Sequence, residues 1–342
     1  MIRIAAMLLA LGLLSACLGG GTNPFDDETE TEEEQSEEEE NVGIFGDDLP
    51  PGTTSPSPET GITRYEENDG DGSGMVETVT YNNENGEDTF TVDNLAFDGD
   101  DAYSRDDQVG TLNSFAVYEN AGTVTDPVSG KPINQLSHKA LYRVGPSGET
   151  KVAIVRTGAY ADYGFGGFIY QRSGDVTLPT SGQATYSGDY AALRDFEGVG
   201  GMEYAEGDMT VSIDFDDFNN GAGVVGQVAN RTIYDTAGND ITADVLTALS
   251  SETGTTYTAL PSLNFVVSGS GNVDANGEMM GELNSRVINA SSGSEIWESG
   301  NYYAILSGEN AGEIAGVLVI TSDDPRFENV TTRETGGFIL AR

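Results

Sequence analysis

Between Ala184 and Leu340 the chain carries eight short runs in which apolar and polar side chains alternate, and this period of two constrains the fold more than any other feature. Met209-Thr210-Val211-Ser212-Ile213-Asp214-Phe215 places Met, Val, Ile and Phe on one face and Thr, Ser and Asp on the other, the pattern of a half-buried strand. Similar runs occupy Ala184–Tyr190, Val224–Ala229, Leu263–Val267, Met279–Ile288, Tyr302–Leu306, Ile314–Ile320 and Gly337–Leu340. Turn chemistry separates several of them, as at Asp274-Ala275-Asn276-Gly277 and Gly308–Gly312; the only long connection is Asn230–Leu260. No long stretch of helical period follows Arg64. Consecutive strands joined by tight turns predict an all-β fold with an eight-stranded antiparallel up-and-down barrel, roomy enough for side chains or one small ligand. Gly226, Gly281 and Gly316 fall inside strands, where glycine permits sharp curvature.

Residues 64–179 form a second, handle-like β region that precedes the barrel at residues 180–342. Its strand-like pieces are Met75–Tyr81, Thr89–Leu95, Leu112–Tyr118, His138–Val144, Lys151–Thr157 and Gly167–Gln171. Gly166–Arg172 echoes Gly336–Arg342, two closing strands of similar construction.

The N-terminal segment carries an address. Arg3 followed by apolar residues to Leu14 has the length of a signal-peptide core, too short to span a bilayer. Leu14-Ser15-Ala16-Cys17 resembles the lipobox of bacterial lipoproteins, in which the cysteine is lipidated after residues 1–16 are removed. Cys17 is the only cysteine, and multiple acylation anchors firmly. Leu18 stands where Asp often marks inner-membrane retention, so the resemblance implies the outer membrane. Residues 17–63 then read as an acidic disordered tether: residues 18–63 hold 14 acidic and no basic side chains and too little apolar surface to offset ordering. A separate anchor is redundant on a lipid-embedded barrel, and Arg342 replaces the usual terminal aromatic residue. The expectation is therefore a soluble barrel with an apolar interior.

Composition narrows the chemistry. With 57 acidic against 15 basic side chains the net charge is −42, which repels nucleic-acid phosphate. Residues 64–342 alone hold 43 acids and 14 bases, so the folded part favours a basic partner. A single histidine, His138, and a single cysteine preclude Cys/His zinc cages and intrachain disulfides.

Ala184–Tyr190, Met209–Phe215, Gly226-Gln227-Val228, Gly316–Ile320 and Glu334–Phe338 together resemble the barrel domain of the transferrin-binding protein B family, surface lipoproteins whose lobes each pair an eight-stranded barrel with a strand-rich handle. The likeness covers residues 180–342 and, in outline, residues 64–179. The chain has room for one lobe and shows no insert matching a transferrin-contacting loop. The resemblance implies a surface-displayed binding lipoprotein, with transferrin itself not implied.

Other candidate chemistry is sparse. Asp69, Asp71 and Ser73 alternate as at the start of a calcium loop, but Thr80 stands where the bidentate Glu belongs, and a flexible entry to the first strand is the preferred reading. Asp214, Asp216 and Asp217 gather carboxylates that could serve as acid and base on a glycan, yet Asp, Asn and Gly are also what a hairpin needs. His138 reads as a partly exposed structural histidine, and Trp297 as core or contact. Gly164–Gly167 lacks the strand-to-helix setting of a nucleotide loop. The leading expectation is a non-enzymatic lipoprotein without cofactor, anchored to the outer membrane and facing outward, that binds an unidentified protein or small ligand through barrel and handle loops. The alternatives are a carboxylate-dependent hydrolase of envelope polysaccharide and a calcium-stabilised adhesion module.

Overall fold

Alternating faces need partners, and the chain supplies two sheets. The computed structural model describes residues 49–342 except 69–73, 84–85, 87, 94, 96–101, 121–122, 126, 135–136, 217–222 and 268–272. Cys17, Asp69, Asp71, Ser73, Asp217 and the tether up to residue 48 lie outside the described residues.

The first sheet is built from β1 (Ile62–Tyr65), β2 (Thr78–Asn82), β3 (Thr89–Asp93), β4 (Tyr103–Arg105), β5 (Thr111–Leu112), β6 (Phe115–Asn120), β9 (His138–Val144), β10 (Thr150–Thr157) and β11 (Gly166–Arg172). A separate ribbon pairs β7 (Thr123–Thr125) with β8 (Pro132–Asn134). Sheet order is β1-β11-β10-β9-β6-β4-β3-β2, with β5 paired to β6. The run Leu112–Tyr118 is thus two strands: Asn113 adopts φ 48°, and the chain folds back there.

The barrel follows as β12 (Gln183–Glu197), β13 (Met202–Asp214), β14 (Val224–Asp235), β15 (Leu263–Phe265), β16 (Glu278–Asn289), β17 (Gly293–Ser307), β18 (Glu313–Asp323) and β19 (Thr331–Ala341), each antiparallel to the next and β19 closing on β12. Each of the eight alternating runs falls on one of these strands, with Phe215 just past the end of β13 and Val266 and Val267 past the end of the short β15. The connection after β14 holds α1 (Thr242–Thr253), a helix the sequence pattern did not announce. Its apolar stripe is only Val245, Leu246 and Leu249, too short for stability alone. Val245 packs into the barrel core, with Leu246 against it, and Leu249 is buried as well.

Polar pairs lie on the barrel's exposed outer face, where Thr185 meets Ser212 (2.9 Å) and Gln227 donates to Asn264 (3.0 Å), beside the exposed Val225, Ile288 and Ile296. Apolar side chains point inward, including Tyr186, Met209, Val211, Ile213, Leu283, Leu318 and Leu340. This orientation is that of a barrel in water. On one flank the outside is apolar too. Ala191, Leu193, Tyr204, Ile305, Ala315, Val317 and Ile339 pack against Phe115, Leu141, Val152, Ile154 and Phe168 of the first sheet. Hence β18 and β19 are buried along nearly their whole length, whereas β14, away from the handle, keeps a buried–exposed alternation. The far face of the handle sheet curls over a third cluster centred on Phe90, Tyr103, Tyr118 and Tyr142.

Candidate functional site: a sealed barrel, a strapped mouth and an open trough

A ligand inside the barrel would need space, and aromatic rings occupy it. Phe265 and Tyr302 stack at 3.7 Å with their planes 2° apart. The rings lie over glycines: a Cβ on Gly226 would stand 2.4 Å from Phe265, and one on Gly336 2.2 Å from Tyr190. These glycines therefore seat rings as well as permitting curvature.

Toward one rim the interior is ionic. On β14, Arg231 forks onto Glu298 of β17 (2.7 and 2.8 Å) and also reaches Glu334 of β19 (2.9 Å). Glu334 further accepts from the Tyr190 hydroxyl (2.7 Å) and Arg194 (3.1 Å), and Glu298 from Ser285 (2.6 Å). Toward the same rim Arg326 bridges Glu203 (2.6 Å) and Asp324 (2.6 Å). Burial pushes the Glu334 carboxyl up, but Arg231 and Arg194 overcome it and hold its pKa below the ordinary glutamate value. Burial pushes Tyr190 well above the usual phenol range. Paired charges, rings and α1 thus fill the barrel.

The opposite mouth is strapped by residues 49–61. Composition assigns this segment to the tether, yet it belongs to the folded unit: Thr53 N–H donates to Thr63 O (3.0 Å) and Tyr65 N–H to Pro51 O (3.0 Å), covering the outer edge of β1. Two buried arginines hold it. Arg64 pairs with Glu278 at the start of β16 (2.7 and 2.8 Å) and donates to the carbonyls of Pro50 and Thr53. Arg172 donates to the carbonyls of Ser57, Thr60, Asn276 and Leu306 at 2.8–3.1 Å. Backbone carbonyls are the partners, so residue type in the strap leaves no trace of the contact.

Handle and barrel are also joined through charge. Arg156 forks onto Glu66 (2.7 and 2.8 Å) and donates to Thr335 on β19 (2.9 Å); burial pushes Glu66 up, and Arg156 holds it below the ordinary value. Lys139 pairs with Asp106 and with Glu119 (3.0 Å) beside a cavity of about 350 Å³ at the handle–barrel junction.

The sequence candidates are dispersed. Asp214 accepts from Gln183 (2.7 Å) and the Asp216 N–H (3.1 Å), and Asp216 accepts from the Gly182 N–H (3.0 Å), the bonds of a turn. His138 is wholly buried at the start of β9, not partly exposed, because the handle sheet closes over it. Trp297 is partly buried against the barrel core. Among the described residues no group of three or more His, Cys, Asp or Glu side chains is arranged to hold a metal ion, and no helix is long and apolar enough to cross a membrane.

What sequence reasoning missed is a trough of about 340 Å³ on the handle's far face, lined by Val79, Thr80 and Tyr81 of β2, Tyr142 and Val144 of β9, Lys151 and Ala153 of β10, and Ile169 and Gln171 of β11. The alternation of β9–β11 held the signal, since Tyr142, Ala153 and Ile169 share the face opposite the barrel.

One curled nine-stranded sheet packed on one closed, filled barrel defines a single handle-and-barrel lobe. No family model matches the chain, and no curated protein matches it. Among solved structures, it is similar to a double mutant of transferrin binding protein B from Haemophilus parasuis Hp5, at 14% identity and TM-score 0.33 over 66% of this chain and 37% of that one. It is similar also to isotype 1 transferrin binding protein B from serogroup B Neisseria meningitidis, at 12% identity and TM-score 0.30 over 68% and 36%. A structure described as a surface lipoprotein is covered to 78%, at 12% identity and TM-score 0.30, by 57% of this chain. The chain thus spans about two fifths of the length of the transferrin binding proteins it matches.

Proposed function

We infer that the chain is a lipid-anchored outer-membrane lipoprotein, facing the exterior, that binds a basic protein partner on its outer surface and has no catalytic role. The observation that carries this reading is the filled barrel: with rings and paired charges occupying the interior, recognition falls to loops and outer faces. These carry the excess of 43 acids over 14 bases in residues 64–342, which repels anions and steers cationic partners. Lys139 and most of the arginines are consumed by internal ion pairs and carbonyl contacts, leaving the carboxylates to dominate the surface. Cys17 supplies the anchor.

Cys17→Ser moves the protein from the detergent phase to the aqueous phase in phase-separation assays, with a loss of nearly all membrane-associated material. Protease added to intact cells degrades the wild-type lobe. Protection until the outer membrane is permeabilised overturns the outward orientation, and unchanged detergent partition of the Cys17→Ser variant overturns the anchor.

A further inference from the structure

The handle sheet has one face against the barrel and a second that its own β2–β3 hairpin only partly covers. On that second face two cross-strand rows lie side by side. Tyr142, Ala153 and Ile169 form one, and Val144, Lys151 and Gln171 the other, fixed by the pairings Ala153 with Tyr142 and Ile169 and Lys151 with Val144 and Gln171. Tyr81, folded back from β2, meets Tyr142 at 5.3 Å with the rings inclined by 34°. Between them remains the trough of about 340 Å³, at the size where small-ligand pockets begin. Its rim is apolar and open: Tyr81 is 37% and Val144 40% exposed.

The trough contains a misfit in charge. Acids outnumber bases 57 to 15, and arginines 64, 105, 156, 194, 231, 326 and 333 are each paired to a carboxylate, as is Lys139. Lys151, half-buried at the trough floor, makes no ion pair among the described residues. Its cross-strand neighbour Gln171 offers a second donor from the same row. Opposed residues on adjacent strands hold their Cβ atoms about 5 Å apart, so both donors can reach the two oxygens of one carboxylate.

We propose that this trough is a binding site for a small aromatic monocarboxylate, its ring against Tyr81 and Tyr142 and its carboxylate on Lys151 and Gln171. Tyrosines that meet at an angle offer a face and an edge to an inserted ring. A phosphate or a second carboxylate is disfavoured by the negative field of the whole lobe, whereas a single carboxylate is matched by the one lysine. The occupancy of this site stands or falls without the protein-partner reading.

The test uses the full-length chain carrying Cys17→Ser in aqueous buffer, with 2-naphthoate as probe and 2-naphthylmethanol as its neutral counterpart, titrated by calorimetry. Saturable one-to-one binding of naphthoate is expected, about tenfold tighter than that of the alcohol. Lys151→Met removes that preference and leaves the alcohol unchanged, while Tyr81→Ala weakens both at least about fivefold. Tyr81 is exposed and Lys151 half-buried, and thermal midpoints that match the parent chain verify the fold of each variant. Absence of saturable naphthoate binding overturns the site. Equal affinity for acid and alcohol, or indifference of naphthoate to Lys151→Met, overturns carboxylate recognition.

Discussion

Replacing Arg231 with methionine destabilises the lobe by about 3–5 kcal/mol, because it leaves Glu298 and half of the Glu334 network buried without their cation. The cost lies in the stranded carboxylates rather than in the lost bonds themselves. Arg231→Met combined with Glu298→Met is therefore the more stable variant of the two, recovering at least about half of the loss. Glu334 retains Arg194 and Tyr190 in that background, and two methionines fill the vacated volume. Denaturant titration of both variants decides the matter. A single variant within about 1 kcal/mol of wild type, or a double variant less stable than the single, contradicts the arrangement.

The same network sets the response to acid. Glu334, Glu66, Asp106 and Asp324 are each raised by burial and brought below their ordinary values by more favourable contacts, chiefly Arg231 and Arg194, Arg156, Lys139 and Arg326 respectively. A carboxylate with a depressed folded-state pKa contributes stability that is complete above its unfolded value, about 4, and is lost as pH falls through the folded value. Asp274 acts in the opposite sense, since burial and Glu278 raise it. The net expectation is a thermal midpoint that drops steeply below about pH 4. The drop is shallower in Arg231→Met, where Glu334 has lost its main cation.

The interior charges also explain what the sequence pattern showed and what it hid. Apolar alternation marks β12 only over Ala184–Tyr190, yet the strand runs to Glu197, because Arg194 takes an inward position that a hydrophobic template rejects. Likewise the run Val224–Ala229 stops at Asn230, which has φ 52° beside a register shift in the β13–β14 pairing, and the strand resumes with Arg231 facing in. Strands were visible where the core is apolar and invisible where it is ionic. In the handle, β1 and β4 are short and depend on distant partners, and α1 depends on the barrel core that Val245 enters. Asp214 and Asp216 are turn residues, as their Asn- and Gly-rich surroundings allow. The trough needed β9, β10 and β11 in register with β2 folded back over them, an arrangement that no local window contains.

The strap yields the second large effect. A fragment beginning at Ile62 melts about 8–15 °C below one beginning at Leu49, the first described residue. Without residues 49–61, Arg172 loses the carbonyls of Ser57 and Thr60, Arg64 those of Pro50 and Thr53, and Val176 N–H that of Pro58. Bonds to charged donors contribute about 1.5–3 kcal/mol each where water cannot substitute. Water reaches part of the vacated surface, so the net loss is about 4 kcal/mol, or about 2–4 °C per kcal/mol in a domain of this size. The edge of β1 is uncovered at the same time, and an unpaired edge invites intermolecular strand addition, so the short fragment also aggregates faster. A peptide of residues 49–61 added in trans raises its midpoint. Arg172→Ala costs less in the short fragment than in the long one, since two of its four carbonyls beyond the local turn are already absent. Equal melting of the two fragments, or an equal cost of Arg172→Ala in both, shows that the strap lies on the surface without binding it.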